Sequence, residues 1–215
     1  VWGDRVAIAG TFSPGAELGG LALPAFDERL PFADVVTAEL DLATGARAWA
    51  AAFGGKLDDS VAGVAITASG AVAVAANLRD TMRVGDTELH ANGPSDGLVV
   101  WFSRDGQLGK PIVLGGADFD GLRAITAVGE HAVVGGFFSG QVALGATTYT
   151  AGGGDDAFVA SVSPDGAIER AWEIGGEGRE EIAGIAALPA GFVAAVQHTA
   201  DLHVDTTGAR SDARL

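Results

Sequence analysis

The chain has 215 residues, of which 48% are hydrophobic and 19% are charged, so it can bury the core of one large domain and is not a disordered chain. Its formal net charge of −15 repels polyanions, which makes nucleic acid and anionic membrane surfaces poor partners. The absence of cysteine excludes disulfides, thiolate zinc sites and cysteine nucleophiles.

Short strands separated by turns follow one another along the whole chain, and no segment has a sustained helical period. We therefore expect an all-β fold. The first strand is expected at residues 6–12 and is followed by the longest insert of the chain, residues 18–32. Two further strands begin near Asp34 and Trp49, and the second of them runs into the double glycine Gly54-Gly55.

The same order of segments returns after each double glycine. A first strand is followed by a strand of small residues, a short hairpin-like insert, a third strand with alternating apolar residues, and a last strand that reaches the next double glycine. The small-residue strands are expected at residues 72–78, 132–138 and 192–198. In one third strand Leu98, Val100 and Phe102 alternate, which predicts a strand with one buried face.

The double glycines recur at a nearly constant period. They stand at residues 54–55, 115–116 and 175–176, with steps of 61 residues (54 to 115) and 60 residues (115 to 175). An acid follows each of them, at Asp59, Asp120 and Glu180. The period divides the chain, as a single domain, into approximate repeats at residues 1–55, 56–116, 117–176 and 177–215.

A four-stranded antiparallel unit that recurs at this length is typical of a β-propeller blade. The small residues of the second strand suit the crowded space near a propeller axis. The alternative is a β-solenoid, but the period of a solenoid coil is much shorter, and its units carry no hairpin turn. We therefore predict a β-propeller with about three and a half four-stranded blades.

One phrase of the sequence resembles a known repeat. Residues 156–160 (Asp-Ala-Phe-Val-Ala) and 164–166 (Pro-Asp-Gly) are similar to the bacterial SBBP-type β-propeller repeat, and so are Trp49 and residues 53–55 (Phe-Gly-Gly). The resemblance covers the chain as two complete units with partial ones on either side. It implies a propeller in an exported or surface-attached protein, and it implies no catalytic residues.

The predicted ring is incomplete within this sequence. Closed propellers use four or more blades, whereas the chain begins in a second strand and stops near Asp212, where a third strand would start. We expect it to be part of a larger propeller, for example one of seven blades, with the remaining blades supplied by a parent chain. The alternative is that a second copy of the chain closes a ring of seven.

The acids Asp59, Asp120 and Glu180 stand at equivalent positions before the first strand of a unit. In a propeller that strand lies nearest the axis, so the three carboxylates could form a ring at the channel mouth and hold Ca²⁺ or a cationic ligand. The alternative, which the repeat favours, is that each acid accepts hydrogen bonds from the backbone of its own turn. We expect no other metal, cofactor-binding or catalytic residue.

Ser139 and Ser161 do not lie in a Gly-x-Ser-x-Gly motif, and no stretch of the sequence is apolar enough for a membrane-spanning helix. We therefore expect a non-enzymatic scaffold or interaction module that is extracellular, attached to the cell surface or periplasmic. Its best candidate contact surface for a protein or glycan partner is the long insert with Pro24, Phe26 and Pro31. One alternative is a propeller that binds carbohydrate or Ca²⁺ at the channel mouth, and a further one is an enzyme with an axial active site.

Overall fold

The computed structural model of the chain describes residues 3–26 and 32–205, and every regular element in these ranges is a β-strand. The predicted all-β fold is therefore confirmed. No helix in this part of the chain is long and apolar enough to cross a membrane. The strands are β1 (Arg5–Phe12), β2 (Glu17–Leu18), β3 (Leu21–Ala22), β4 (Asp34–Asp41), β5 (Arg47–Gly55), β6 (Ser60–Ile66), β7 (Val72–Leu78), β8 (Thr81–Val84), β9 (Thr87–His90), β10 (Asp96–Phe102), β11 (Ile112–Leu114), β12 (Gly121–Val128), β13 (His131–Phe138), β14 (Gln141–Leu144), β15 (Thr147–Thr150), β16 (Asp156–Val162), β17 (Ile168–Gly176), β18 (Glu180–Leu188), β19 (Gly191–His198) and β20 (Leu202–Asp205).

The strands form four successive antiparallel units. Unit 2 (β6, β7, β10 and β11) and unit 3 (β12, β13, β16 and β17) are four-stranded meanders with the same strand order. In both, a short hairpin is inserted between the second and third strands, β8–β9 in unit 2 and β14–β15 in unit 3. Unit 1 contains β1, β4 and β5 with the insert β2–β3, and unit 4 contains the hairpin β18–β19.

Corresponding strands of different units pair in the same register. The second strand of units 1, 2 and 3 ends opposite the aspartate that begins the third strand, in the pairs Phe12 with Asp34, Leu78 with Asp96, and Phe138 with Asp156. The first strand of units 2, 3 and 4 carries an irregularity after its second or third residue, between Val61 and Gly63, Leu122 and Ala124, and Ile182 and Gly184. Such bulges bend a strand and increase its twist, so the units share their curvature as well as their strand order.

Strand pairing joins two of the three pairs of neighbouring units. The last strand of unit 1 continues past its own sheet and pairs with the inserted hairpin of unit 2, with Gly55 opposite Met82. In the same way the last strand of unit 3 pairs with β20, with Gly176 opposite Leu202. Each of these sheets therefore extends into the next unit.

The third strand of unit 2 is buried on both faces, so the prediction of one buried face was wrong. Val99 and Trp101 belong to the core shared with unit 3, whereas Leu98, Val100 and Phe102 belong to the core shared with unit 1. Successive side chains of this strand do point to opposite faces. Each face, however, packs in a different core, and neither is exposed to solvent. The reason is that a neighbouring unit packs on each side of this sheet.

Candidate functional site: paired acids at the double glycines

The first glycine of each double glycine lies against a carboxylate. A Cβ added there would come within 3.0 Å of the side chain of the aspartate that begins the third strand of the same unit, far inside van der Waals contact. The three pairs are Gly54 with Asp34, Gly115 with Asp96, and Gly175 with Asp156. The glycine and the aspartate recur together along the sequence because the last strand of the unit passes directly over the buried carboxylate.

The second glycine lies against the backbone of the next unit. A Cβ added there would come within 2.0 Å of a carbonyl oxygen in or just before the next hairpin or strand. The pairs are Gly55 with the carbonyl of Thr81, Gly116 with that of Gln141, and Gly176 with that of Asp201. Only a residue without a side chain allows the two backbones to approach this closely.

The aspartates of the third strands are buried and accept hydrogen bonds from backbone N–H groups. Gly55 donates to Asp34 at 3.1 Å, Asn92 to Asp96 at 2.6 Å, and Gly152 to Asp156 at 3.0 Å. Each side chain is at most 2% exposed. These aspartates therefore fix the end of the insert or the double glycine to the start of the third strand.

The predicted site acids lie beside them, at the start of the next unit. The backbone N–H of each one donates to the carbonyl of the residue just before a third-strand aspartate: Asp59 to Ala33 at 2.8 Å, Asp120 to Ser95 at 2.9 Å, and Glu180 to Asp155 at 2.7 Å. This backbone contact places two acids, one from each of two neighbouring units, at every double glycine. We call each such set an acid junction: Asp34 and Asp59, Asp96 and Asp120, and Asp156 and Glu180.

The side chains of the three predicted acids are buried, but their hydrogen bonding differs. Asp59 accepts from the backbone N–H of Arg79 at 3.2 Å, and Asp120 accepts from that of Ser139 at 2.9 Å and from that of Gly116. Glu180 is 1% exposed, and neither of its carboxylate oxygens has a hydrogen-bond partner. The longer glutamate side chain thus breaks a pattern that the two aspartates share.

Burial raises the pKa of several junction acids. Desolvation raises the pKa of Asp59 to about 8, and the nearby Asp34 carboxylate adds to this effect. Desolvation also raises the pKa of Asp34 and of Asp120 to about 6, and it raises the pKa of Asp96. Backbone N–H donors oppose the rise in every case, but burial outweighs them. At neutral pH the first junction therefore holds a protonated carboxyl group.

The three predicted acids do not share one cavity. Asp59 and Asp120 line the same cleft of about 290 Å³ between units 2 and 3, together with Arg79, Phe119 and Arg123. Glu180 lines a separate cleft of about 160 Å³ whose other walls include Asp155 and Arg179. Within residues 3–26 and 32–205, no group of three or more acidic or histidine side chains is close enough to hold a metal ion.

The long insert of unit 1 lies next to the first acid junction. Pro24 and Phe26 line a groove of about 400 Å³ with Gly54, Gly55 and residues of the β8–β9 hairpin. The backbone N–H of Phe26 donates to the Asp34 carboxylate, so this end of the insert is held in place. Pro31, the third residue of the predicted contact loop, lies outside the described residues.

Two features of the site were not expected from the sequence. The first is the role of the third-strand aspartates, although their spacing, which is within one residue of that of the double glycines, was a usable signal. The second is the cleft between units 2 and 3, where Arg123 contacts Glu181 at 3.1 Å and lies 4.6 Å from the ring centre of Phe137. Arg123 and Phe137 are replaced by other residue types in the neighbouring units, so no repeat pattern could reveal this cleft.

Comparison with known proteins found no family model that matches the chain and no curated protein that is detectably similar to it. The function therefore has to be inferred from the residues and the geometry described above. Two observations are available for this purpose: the way in which successive units are joined, and the buried acids at the junctions.

Proposed function

We propose that the chain is part of a β-propeller built from SBBP-like repeats and acts as a non-enzymatic scaffold or interaction module of an exported or cell-surface protein. The observation that carries this proposal is the backbone connection between units, in which the last strand of one unit pairs with the next unit at the double glycine. Units 1 and 2, and likewise units 3 and 4, are joined in this way, and the backbone hydrogen bond from Asp120 to Ser95 joins units 2 and 3.

The packing of the first strands supports a propeller arrangement. β12 packs against β6 on one side and against β18 on the other, and β6 also packs against β1. Successive first strands thus lie side by side, as they do when blades are arranged around an axis. Both complete units are four-stranded antiparallel meanders of about the size of a blade, and each carries a hairpin, which a solenoid coil lacks.

The acid junctions support a structural role. Most of their carboxylates accept hydrogen bonds from backbone N–H groups, which is the way buried acids stabilise turns. These donors engage at least one oxygen of each such carboxylate, and one oxygen of Asp59, Asp96 and Asp156 is left without a hydrogen-bond partner. The junctions therefore hold neighbouring units together. The exposed loops and hairpins are then the parts that can contact partners.

A second candidate function is the binding of a small ligand, such as a carbohydrate or Ca²⁺, in the cleft between units 2 and 3. Two observations favour it. The Oδ2 atom of Asp59 is buried at the wall of this cleft and has no hydrogen-bond partner. The exposed ring of Phe119 lies 5.8 Å from the ring of Phe137, tilted by 30°, in the same place and would offer an apolar surface to a sugar.

Thermal unfolding separates the two functions. The chain is heated alone, with millimolar Ca²⁺, and with a panel of neutral mono- and oligosaccharides. A scaffold is expected to show no change in melting temperature. A ligand present at 100 times its Kd would stabilise the folded state by about 2.7 kcal/mol, which corresponds to a shift on the order of 5–10 °C. A shift that the Asp59→Asn variant abolishes would replace the scaffold proposal by the ligand-binding one.

A further inference from the structure

The cleft between units 2 and 3 lies where strand pairing is interrupted. In the described part of the chain, no strand of unit 2 pairs with a strand of unit 3. An isolated bridge from Ser95 to Phe119 connects the two units. The side-chain amide of Asn77 accepts the N–H of Leu122 at 2.6 Å and donates to its carbonyl at 3.1 Å. All residues that line the cleft lie within residues 58–137, so the cleft belongs to the interface between the two complete units.

The wall of this cleft holds a carboxylate that is not fully hydrogen-bonded. Asp59 is 2% exposed, its Oδ1 atom accepts the backbone N–H of Arg79 at 3.2 Å, and its Oδ2 atom has no partner. A buried carboxylate oxygen without a donor is unfavourable. Asp120, the other predicted acid of the cleft, uses both of its oxygens to accept backbone N–H groups. Asp59 is therefore the predicted acid of this cleft that can accept a further donor.

The charges around Asp59 favour a cationic donor. The charged groups that act on the pKa of Asp59 are the carboxylates of Asp34 and Asp58, and both raise it. The two arginines of the cleft do not supply the missing donor. Arg123 is paired with an acid of unit 4, and Arg79 reaches Asp59 through its backbone N–H. In addition, the net charge of −15 attracts a basic partner toward the chain.

The apolar wall of the cleft suits the aliphatic stem of a lysine side chain. The ring of Phe119 is 44% exposed, and its centre lies 5.8 Å from that of Phe137. Lysine packs its methylene groups on such surfaces while its ammonium reaches a polar partner, and an ammonium close to an aromatic ring is itself stabilised. A metal ion fits less well, because no three acidic or histidine side chains within residues 3–26 and 32–205 are close enough to hold one.

We propose that the cleft between units 2 and 3 binds the side chain of a lysine on a basic partner protein, with Asp59 as the acceptor of the ammonium group and Phe119 as the wall for the methylene stem. A modest side-chain rotation, which is common when interfaces form, brings Oδ2 to the cleft surface. At neutral pH the ammonium displaces the proton that Asp59 holds in the unbound chain. This inference rests on the proposed scaffold function and names the chemistry of the partner that the scaffold holds.

Carbon–proton NMR spectra of the aromatic side chains of the full chain test the proposal, because they report on Phe119 and Phe137 directly. The probe is the capped peptide Gly-Gly-Lys-Gly-Gly. Its control peptide has norleucine in place of lysine, which keeps the aliphatic stem and removes the charge. The titration is done at pH 9, where Asp59 with its pKa of about 8 is ionised and lysine is still charged. We expect saturable shifts with the lysine peptide and binding that is weaker by about tenfold or more with the control.

Two variants locate the site. Asp59→Asn removes the negative charge and should weaken binding of the lysine peptide by about tenfold or more, whereas Asp86→Asn, at an exposed acid outside the cleft, should leave it unchanged. Phe119→Ala should weaken binding by about threefold, as read from the signals of Phe137. Because Phe119 is exposed, this second variant is expected to fold even if Asp59→Asn does not.

Three outcomes would overturn the proposal: no saturable shifts of Phe119 and Phe137, equal binding of the lysine and norleucine peptides, or a folded Asp59→Asn variant that binds as tightly as the unchanged chain. Failure of this proposal is distinguishable from failure of the scaffold function. The latter is decided by the thermal shift with Ca²⁺ and neutral sugars, which involves no lysine.

Discussion

Gly175 and Asp156 fit together so closely that neither position tolerates a larger residue: a Cβ on Gly175 would overlap the Asp156 carboxylate. The carboxylate in turn accepts the backbone N–H of Gly152 at 3.0 Å. The absence of a side chain at Gly175 therefore leaves room for the buried Asp156 carboxylate, which holds the start of the third strand in place through this hydrogen bond. The same relationship holds at the other two double glycines, in the pairs Gly54 with Asp34 and Gly115 with Asp96.

Substitution of Gly175 by alanine is expected to destabilise the protein. The added methyl group must displace either the last strand or a buried carboxylate, which costs on the order of 2–4 kcal/mol. Chemical denaturation monitored by tryptophan fluorescence measures the change. The matched control is Gly184→Ala, because Gly184 lies in a neighbouring strand with no atom near its missing Cβ, and its φ is not positive. Equal stability of the two variants would contradict the role of the first glycine.

The stability of the protein is expected to decrease as the pH rises from about 5 to 9. The pKa of Asp59 is about 8 in the folded protein against an ordinary value of 3.8, and the pKa values of Asp34 and Asp120 are about 6. Since the unfolded chain releases these protons at lower pH, the stabilisation is complete below pH about 4 and is lost as the pH passes through the folded values.

The Asp59→Asn variant isolates the alkaline part of this pH dependence. The neutral amide can keep the hydrogen bond from Arg79 but cannot ionise, so the decrease in melting temperature between pH 6.5 and 9 should become smaller. The upper limit of the effect is about 1.4 kcal/mol for each pH unit. Asp86→Asn, in an exposed hairpin turn, serves as the control and should leave the pH profile unchanged. A wild-type profile that is flat above pH 6 would contradict burial of a protonated Asp59.

The half-buried Trp49 and the buried Glu39 form a pair whose members are expected to depend on each other. The indole Nε1 of Trp49 donates to the Glu39 carboxylate at 2.7 Å, and its ring stacks on Phe102 of unit 2 at 5.1 Å. Trp49→Phe keeps the stacked ring but leaves the buried carboxylate without this donor, which should cost about 2 kcal/mol. The double variant Trp49→Phe/Glu39→Leu should recover part of the loss. A double-mutant cycle with no coupling energy would contradict the pair.

The two equivalent valines of units 3 and 4 are expected to respond differently to a polar substitution. Val133→Ser places a hydroxyl group in a closed core and should destabilise the protein by about 2 kcal/mol. Val193→Ser acts on a side chain that is half exposed and should change the free energy of unfolding by less than about 0.5 kcal/mol. Urea denaturation of both variants provides the comparison. A large loss of stability from Val193→Ser would show that its face of β19 is covered.

Most of the strand order could be predicted from the sequence because each kind of strand has its own pattern. Small residues mark the second strands, alternating apolar residues mark the third strands, and double glycines mark the ends of the last ones. What packs against each face of a sheet was harder to predict from the sequence. Alternation along residues 98–102 shows that two faces differ, but it does not show that the second face is covered by another unit.

The site was predicted only in part for a similar reason. The period identified Asp59, Asp120 and Glu180 as equivalent, and the structure places all three at junctions between units. The period could not show that each one lies beside an aspartate of the preceding unit, because that contact joins residues about 24 positions apart (59 minus 34 is 25, and 180 minus 156 is 24). The equivalent positions also gave no sign that both carboxylate oxygens of Glu180 would be buried without a hydrogen-bond partner.

The contact between the second glycine of each pair and the following unit has a consequence for how such chains evolve. At Gly55, Gly116 and Gly176 the neighbouring group is a main-chain carbonyl, which every amino acid possesses. This contact between consecutive units is therefore independent of the side chain that the neighbouring residue carries, whereas the cores between units depend on their side chains. Duplication of a unit, or replacement of one inserted hairpin by another, therefore preserves this contact between neighbouring units.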